Sequence, residues 1–302
     1  MKNGSRVRFG SPAGVALVVT AVLQLATVSP ASAQAPAFAD VMRRAHEYVL
    51  TYHDHELSTV IARERYEQQW LDAAGRTKEK RLLISDFLLF QLPPDETWFA
   101  LRDVYEVNGQ AIEDRAARLK ALFSRPRDSN GALGLEIAKE SGRFNLAADQ
   151  YYRTINVPTF GLLYLLPMHR SRMAFKKIGE EPVDGIETWV VEYEETKGPT
   201  LVGTPNGRDL RSEGRFWIEP KTGAVLRTEM VLGGTRGQPS RVTLTVTYRD
   251  EPALGFRVPV EMQERYDTPR RPLESDVVVA HATYSEFRRF DWRALVPPLK
   301  SR

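Results

Sequence analysis

The sequence contains no cysteine. That excludes a disulfide framework, a thiolate metal site, a cysteine nucleophile and a lipid-modified N-terminal cysteine. The motifs of the common chemistries are missing as well. No G-x-S-x-G elbow, S-x-x-K, Walker loop or H-E-x-x-H occurs anywhere in the 302 residues. Gly233-Gly234-Thr235-Arg236-Gly237 lacks dinucleotide-binding spacing and lies between strand patterns, where it reads as a loop. No acidic residue precedes Asp40, and no later apolar run is long enough to cross a bilayer.

What the N-terminus does carry is a targeting pattern. Lys2, Arg6 and Arg8 form a positive region, followed by a mostly apolar run from Ala13 to Val28 and the small residues Ala31-Ser32-Ala33. This is the form of a cleavable signal peptide covering residues 1–33, cut after Ala33. The run is short for a span, which needs roughly 20 apolar residues. The expected location is the periplasm, with no transmembrane anchor left after cleavage. Taking Lys2, Arg6 and Arg8 from the 42 basic residues leaves 39 against 39 acidic ones. The whole-chain pI of about 9.0 therefore gives the mature chain no bulk electrostatic reason to bind nucleic acid.

Residues 34–302 show no repeat, low-complexity tract or long linker and read as a single domain. Phe38, Met42, Ala45, Val49 and Tyr52 recur at helical spacing. Strand patterns follow over 57–70, 82–92 and 98–107, the last turning at Asn108-Gly109. The second is apolar on both faces, as a strand covered on two sides must be. Residues 113–123 and 132–144 are helical by period, and 155–168 is a charge-free stretch whose Pro158-Thr159 opens a short helix. The C-terminal half is a run of strands with hairpins at Asp184-Gly185 and 220–223, and clear alternation over 242–249 and 256–265. The fold class expected is α+β: a large curved antiparallel sheet, an incomplete barrel, with helices packed on its concave apolar face.

Polar constellations are sparse. His46, His53 and Glu56 fall near one polar face if the first helix reaches Glu56, a weak arrangement for zinc with no third ligand at a defined spacing. His281 alternates with Val277, Val279 and Phe287 and reads as a buried histidine; His169 has no evident partner. The paired carboxylates Glu180-Glu181 and Glu194-Glu195 sit on adjacent strand positions, point to opposite faces and read as solvated. No cofactor, metal or catalytic residue is expected. The best candidate is the 155–168 stretch as a lid over an apolar cavity, contributing Phe160, Leu162, Leu163, Leu165 and Leu166. Phe87, Leu89, Val246 and Val260 are the sheet residues expected to face them.

The order of elements, helix, hairpins, helical middle and long antiparallel run, resembles the LolA-like lipoprotein-localisation fold. Arg153-Thr154-Ile155-Asn156-Val157-Pro158, Gly214-Arg215-Phe216-Trp217-Ile218 and Ala282-Thr283-Tyr284-Ser285-Glu286-Phe287 are similar to stretches of a group of exported bacterial proteins. The resemblance implies an incomplete barrel closed by helices over a hydrophobic cavity. It also implies a non-catalytic carrier whose partner is a lipid or acylated protein. An envelope protein-interaction or sensor module on the same fold is the alternative, and a hydrolase or metal enzyme the third reading.

Overall fold

The computed structural model describes residues 36–56, 59–92, 97–124, 130–146, 153, 155–204, 207–235, 238–271 and 274–290. The signal peptide expected over residues 1–33 and its cut after Ala33 lie outside the described residues. No helix among those described is long and apolar enough to cross a membrane.

Helix α1 (Phe38–Thr51) opens the described chain and widens into a π-helical turn through Glu56. Three strands follow: β1 (Thr59–Leu71), β2 (Thr77–Leu92) and β3 (Thr97–Val107), which turns into the two-residue β4 (Gln110–Ala111). Asn108 and Gly109 both take positive φ in that turn, 51° and 82°, the backbone a tight hairpin demands. Strand β2 starts at Thr77, five residues before its apolar pattern. The charged lead-in Thr77–Arg81 gives no hydrophobic signal, and pairing with Gln68–Leu71 makes it strand.

Helices α2 (Arg115–Ser124) and α3 (Asn130–Gly142) fill the middle. After two short 3₁₀ helices at Phe160–Leu165 and Pro167–Arg172, the rest is β: β5 (Met173–Val183), β6 (Ile186–Glu195), the small hairpin β7 (Val202–Gly203) and β8 (Asp209–Leu210), β9 (Ser212–Ile218), β10 (Val225–Thr235), β11 (Gln238–Glu251), β12 (Phe256–Arg271) and β13 (Glu274–Arg289).

Eleven strands make one antiparallel sheet in the order β4-β3-β2-β1-β13-β12-β11-β10-β9-β6-β5. Its two ends, β4 and β5, do not pair, so the barrel is incomplete. The N-terminal hairpins join the C-terminal run through β1 and β13, which pair over residues 60–71 and 277–289. This is the α+β architecture expected.

The inner face carries the main core. There α1 contributes Val41, Met42, Ala45 and Val49, and the strands contribute Tyr66, Leu83, Val191, Phe216, Met230, Val246 and Met262, all buried. The two-sided strand β2 behaves as its sequence demands. Leu83, Phe87 and Leu89 face this core, while Leu88 and Phe90 face a second one. That second core lies on the opposite face of β1–β3, where α2 and α3 add Leu122, Phe123, Leu133 and Ile137. The helices are thus divided between the two faces of the sheet, α1 on the inner one and α2 and α3 on the other.

The β9–β10 turn holds α1 in place. Arg44 Nη2 donates to the Pro220 carbonyl at 2.8 Å, and Gly223, at φ 80°, lies against the backbone of Arg44 and Ala45. A Cβ at Gly223 would sit 2.6 Å from the Ala45 nitrogen, in a conformation that side chains rarely adopt. Gly223→Ala is expected to destabilise the protein by more than about 1 kcal/mol. Urea unfolding followed by circular dichroism measures it, and Gly185→Ala, whose Cβ would meet open space, should cost less.

Candidate functional site

The stretch expected to serve as a lid forms a 3₁₀ helix over Phe160–Leu165, its run being short and bracketed by prolines. Pro158 and Thr159 lead in, Leu162 N donates to the Thr159 carbonyl at 3.1 Å, and Pro167 starts the next short turn. Gly161 allows close approach to β10; a Cβ there would lie 3.2 Å from Thr228 Oγ1. Leu162, Leu165 and Leu166 are buried, while Phe160 and Leu163 are half-buried at the same cluster. Phe87, Leu89 and Val246 are buried in that cluster and Val260 packs against it half-buried. All nine residues singled out in the sequence therefore converge on the inner core, and the Phe87/Leu89 face of β2 is the one turned to it.

The space among them is closed. One apolar crevice of about 20 Å³ lies where α1 meets the lid, lined by Val49, Tyr52, His53, Thr159, Leu162, Leu163 and Leu166. A ligand pocket typically needs about 300 Å³. The larger hollows, about 440 and 550 Å³, lie over the sheet's polar outer face. The first is lined by a cross-strand row of alternating charge, Lys176, Glu192, Arg215 and Glu229.

Beside the apolar core sits a buried polar network that the sequence did not disclose. Glu64 on β1 and Arg102 on β3 pair at 2.5 and 2.8 Å, with side chains essentially out of water. Ser85 on β2 donates to the same carboxylate at 2.8 Å. A second pair, Arg153–Glu264, spans 3.5 Å and is equally buried. Tyr66 lies between the two, its ring 4.3 Å from the Arg102 guanidinium and its hydroxyl accepting from Arg153. Arg153 also donates to Gln68 Oε1 at 2.9 Å and to the Leu146 carbonyl at 3.2 Å. With its amide oriented to satisfy both ends, Asn156 accepts from Arg102 at 3.0 Å and from the Tyr66 hydroxyl at 3.2 Å, and donates to the Arg153 carbonyl at 2.8 Å.

Burial pushes the Tyr66 hydroxyl well above its ordinary pKa, so it stays protonated. Burial also opposes the charge on Arg102, and the Glu64 carboxylate more than offsets it. Two arginines against two glutamates leave the network neutral, the condition under which ionised groups survive burial. Arg153 and Asn156 stand at the root of the lid, and Tyr248 adds a third tie by donating to the Pro158 carbonyl at 2.7 Å. The sequence hid all this because β1 reads Arg63-Glu64-Arg65-Tyr66-Glu67-Gln68-Gln69, polar at every position, though only Glu64, Tyr66 and Gln68 face inward.

Three of the sequence readings need correction. His46 is not on the polar face of α1: it is buried, its Nδ1 donates to the Leu165 carbonyl at 2.5 Å and its ring meets Phe175 edge-on at 5.7 Å. It therefore leaves His53, which lies 2.8 Å from Asp54, and among the described residues no three His, Asp or Glu groups gather as a metal site. His281 is exposed and bonds Glu261 at 2.8 Å. Val278, Ala280, Ala282 and Tyr284 are the inward set on β13, and a bulge marked by the positive φ of Glu286, 54°, brings Phe287 back inward. An unbroken period of two had put Phe287 and His281 on one face.

Nor are both carboxylates of the Glu194-Glu195 pair solvated. Glu195 is buried near Tyr193 and Ser212, accepts from Leu201 N at 2.9 Å, and lies 4.0 Å from Arg172. His169 finds a partner in the same Arg172, at 3.1 Å.

No protein-family model matches the chain, and no curated protein matches it. Among solved structures it is similar to a domain from Vibrio parahaemolyticus named for outer membrane lipoprotein sorting. That match has 14% identity and a TM-score of 0.39, and covers 84% of this chain and 95% of the other. It is also similar to a DUF1329 family protein from Desulfovibrio piger, at 12% identity and a TM-score of 0.36, covering 85% and 98%. A complex of Pseudomonas aeruginosa MucA and MucB gives 9% identity and a TM-score of 0.21, covering 83% and 99%. The arrangement present here is an unclosed antiparallel sheet with α1 over its apolar inner face, the incomplete barrel anticipated from the order of elements.

Two outcomes test the polar groups. Arg102→Met strands Glu64 in the core and is expected to cost about 3–5 kcal/mol, measured by urea unfolding; Glu64→Gln with Arg102→Met together should cost less than Arg102→Met alone. Burial raises the Glu195 pKa. A carboxyl raised in the folded state contributes stability that is complete below its unfolded pKa and is lost as pH rises through the folded value. Glu195→Gln should flatten this slope of stability against pH, read as the midpoint of thermal unfolding across acidic buffers.

Proposed function

We propose that the chain is a soluble periplasmic carrier for the acyl chains of a lipid or acylated protein. It would act without catalysis or cofactor as a single domain over residues 34–302, after a signal peptide is cut behind Ala33. The observation that carries this reading is the lid: five apolar side chains, no charge, packed on the inner core and meeting α1 at a small apolar crevice. The crevice is too small for a chain, so loading requires the lid and α1 to part. Apolar exchange makes that affordable. Three buried leucines leave the core at ~1.5–3 kcal/mol each, and an entering acyl chain returns ~0.8 kcal/mol per methylene. A chain of moderate length offsets the loss with no polar recognition at all.

The filled interior favours the alternative, an envelope protein-interaction or sensor module, to the extent that nothing need enter it. Titration of the purified mature protein with a fluorescent fatty acid separates the two, together with organic extraction and lipid mass spectrometry. The carrier should bind the probe in the micromolar range or tighter, and Leu162→Asp should weaken binding at least about tenfold. No probe uptake and no stoichiometric lipid would leave the interaction module as the better reading.

A further inference from the structure

We infer that the lid tip docks on an anionic lipid bilayer, Met168 entering the headgroup layer and Arg170 meeting its charge. This deepens the carrier reading and rests on it, since it names the surface at which cargo would be exchanged.

Exposure points to the place. Four large hydrophobic residues are exposed among the described residues, Leu50, Leu135, Met168 and Ile178, and Met168 stands out at 68%. Leu50 and Met168 lie close in sequence to residues that line the crevice: Leu50 follows Val49, and Met168 comes two residues after Leu166. Pro167 stiffens the turn that presents Met168. The apolar tip therefore follows directly on the stretch that lines the crevice.

Charge points to the partner. No aspartate or glutamate occurs from Gln150 to Gly179, whereas Arg153, His169, Arg170, Arg172, Lys176 and Lys177 all do. Arg153 is buried in the polar network and Arg172 turns toward Glu195. Arg170 is exposed and makes no ion pair among the described residues. An apolar tip beside unneutralised positive charge fits the acyl boundary and phosphate layer of an acidic membrane. A protein partner would have to match the same small tip in shape.

The test uses the mature chain, free of cargo, with vesicles of phosphatidylcholine alone or mixed with phosphatidylglycerol. Because the chain has no cysteine, Met168→Cys provides one site for an environment-sensitive fluorophore. The emission should shift to the blue on mixed vesicles only, and added salt should reverse it. In co-sedimentation, Arg170→Glu should weaken binding at least about fivefold, and Met168→Ser should weaken it too. Leu135→Ser, on α3, should leave it unchanged. No blue shift, equal sedimentation of Arg170→Glu and the parent, or an equal loss in Leu135→Ser overturns the docking surface. The fatty-acid titration, run without vesicles, reports separately: uptake without docking removes this inference alone, and docking without uptake removes the carrier reading instead.

Discussion

The arrangement around Tyr66 is the constraint on which much else depends. Two guanidinium groups flank one aromatic ring, and each is answered by its own carboxylate, Glu64 for Arg102 and Glu264 for Arg153. Four strands, β1, β2, β3 and β12, supply all the parts but Arg153, which lies outside them ahead of the 155–168 stretch. A buried pair of this kind is not a cheap source of stability, because desolvation consumes most of the Coulomb gain. Its value lies in uniqueness. Leucines can slip past one another at little cost, whereas Arg153 is held in one place by Gln68, the Leu146 carbonyl, Tyr66 and Glu264.

That specificity divides the 155–172 segment into three mechanical parts. Its root is fixed by directional bonds from Asn156 and to the Pro158 carbonyl. Its far end is fixed as well, Arg172 facing Glu195 while its carbonyl accepts from Thr196 N at 2.8 Å. Between them, Leu162 to Leu166 relies mainly on apolar contact and on His46 reaching the Leu165 carbonyl. Apolar contacts are non-directional and exchangeable, so the middle is the part that can trade one apolar neighbour for another while both ends keep their register.

How much of this could be read in the sequence follows from where its signals were redundant. The lid leucines, the two-faced β2 and the alternating strands β11 and β12 each carry one physical message, burial, and the residue types repeat it. The polar network carries two conflicting messages. Glu64 and Gln68 are polar by type and buried by position, and only their partners 21 to 85 residues away resolve the conflict. His46 and Glu195 misled for the same reason. His281 misled differently, through the bulge at Glu286, which no short-range pattern announces. The closure of the interior was also out of reach, since volume is a property of how side chains interdigitate and not of which ones are apolar.

One further consequence belongs to the seam that keeps the barrel from closing. A sheet that ends in an eleven-residue edge strand, β5, offers a row of unpaired amides and carbonyls to any other chain. Here that edge carries Lys176 and Lys177, then Glu180 and Glu181, then Pro182, which cannot donate at all. At the far end β4 covers only Glu106 and Val107 of β3, and α3 lies along the rest of that edge, Ser141 Oγ accepting from Arg102 N at 3.0 Å. The unpaired edge at β5 is thus guarded by charge and by a proline against pairing with another chain.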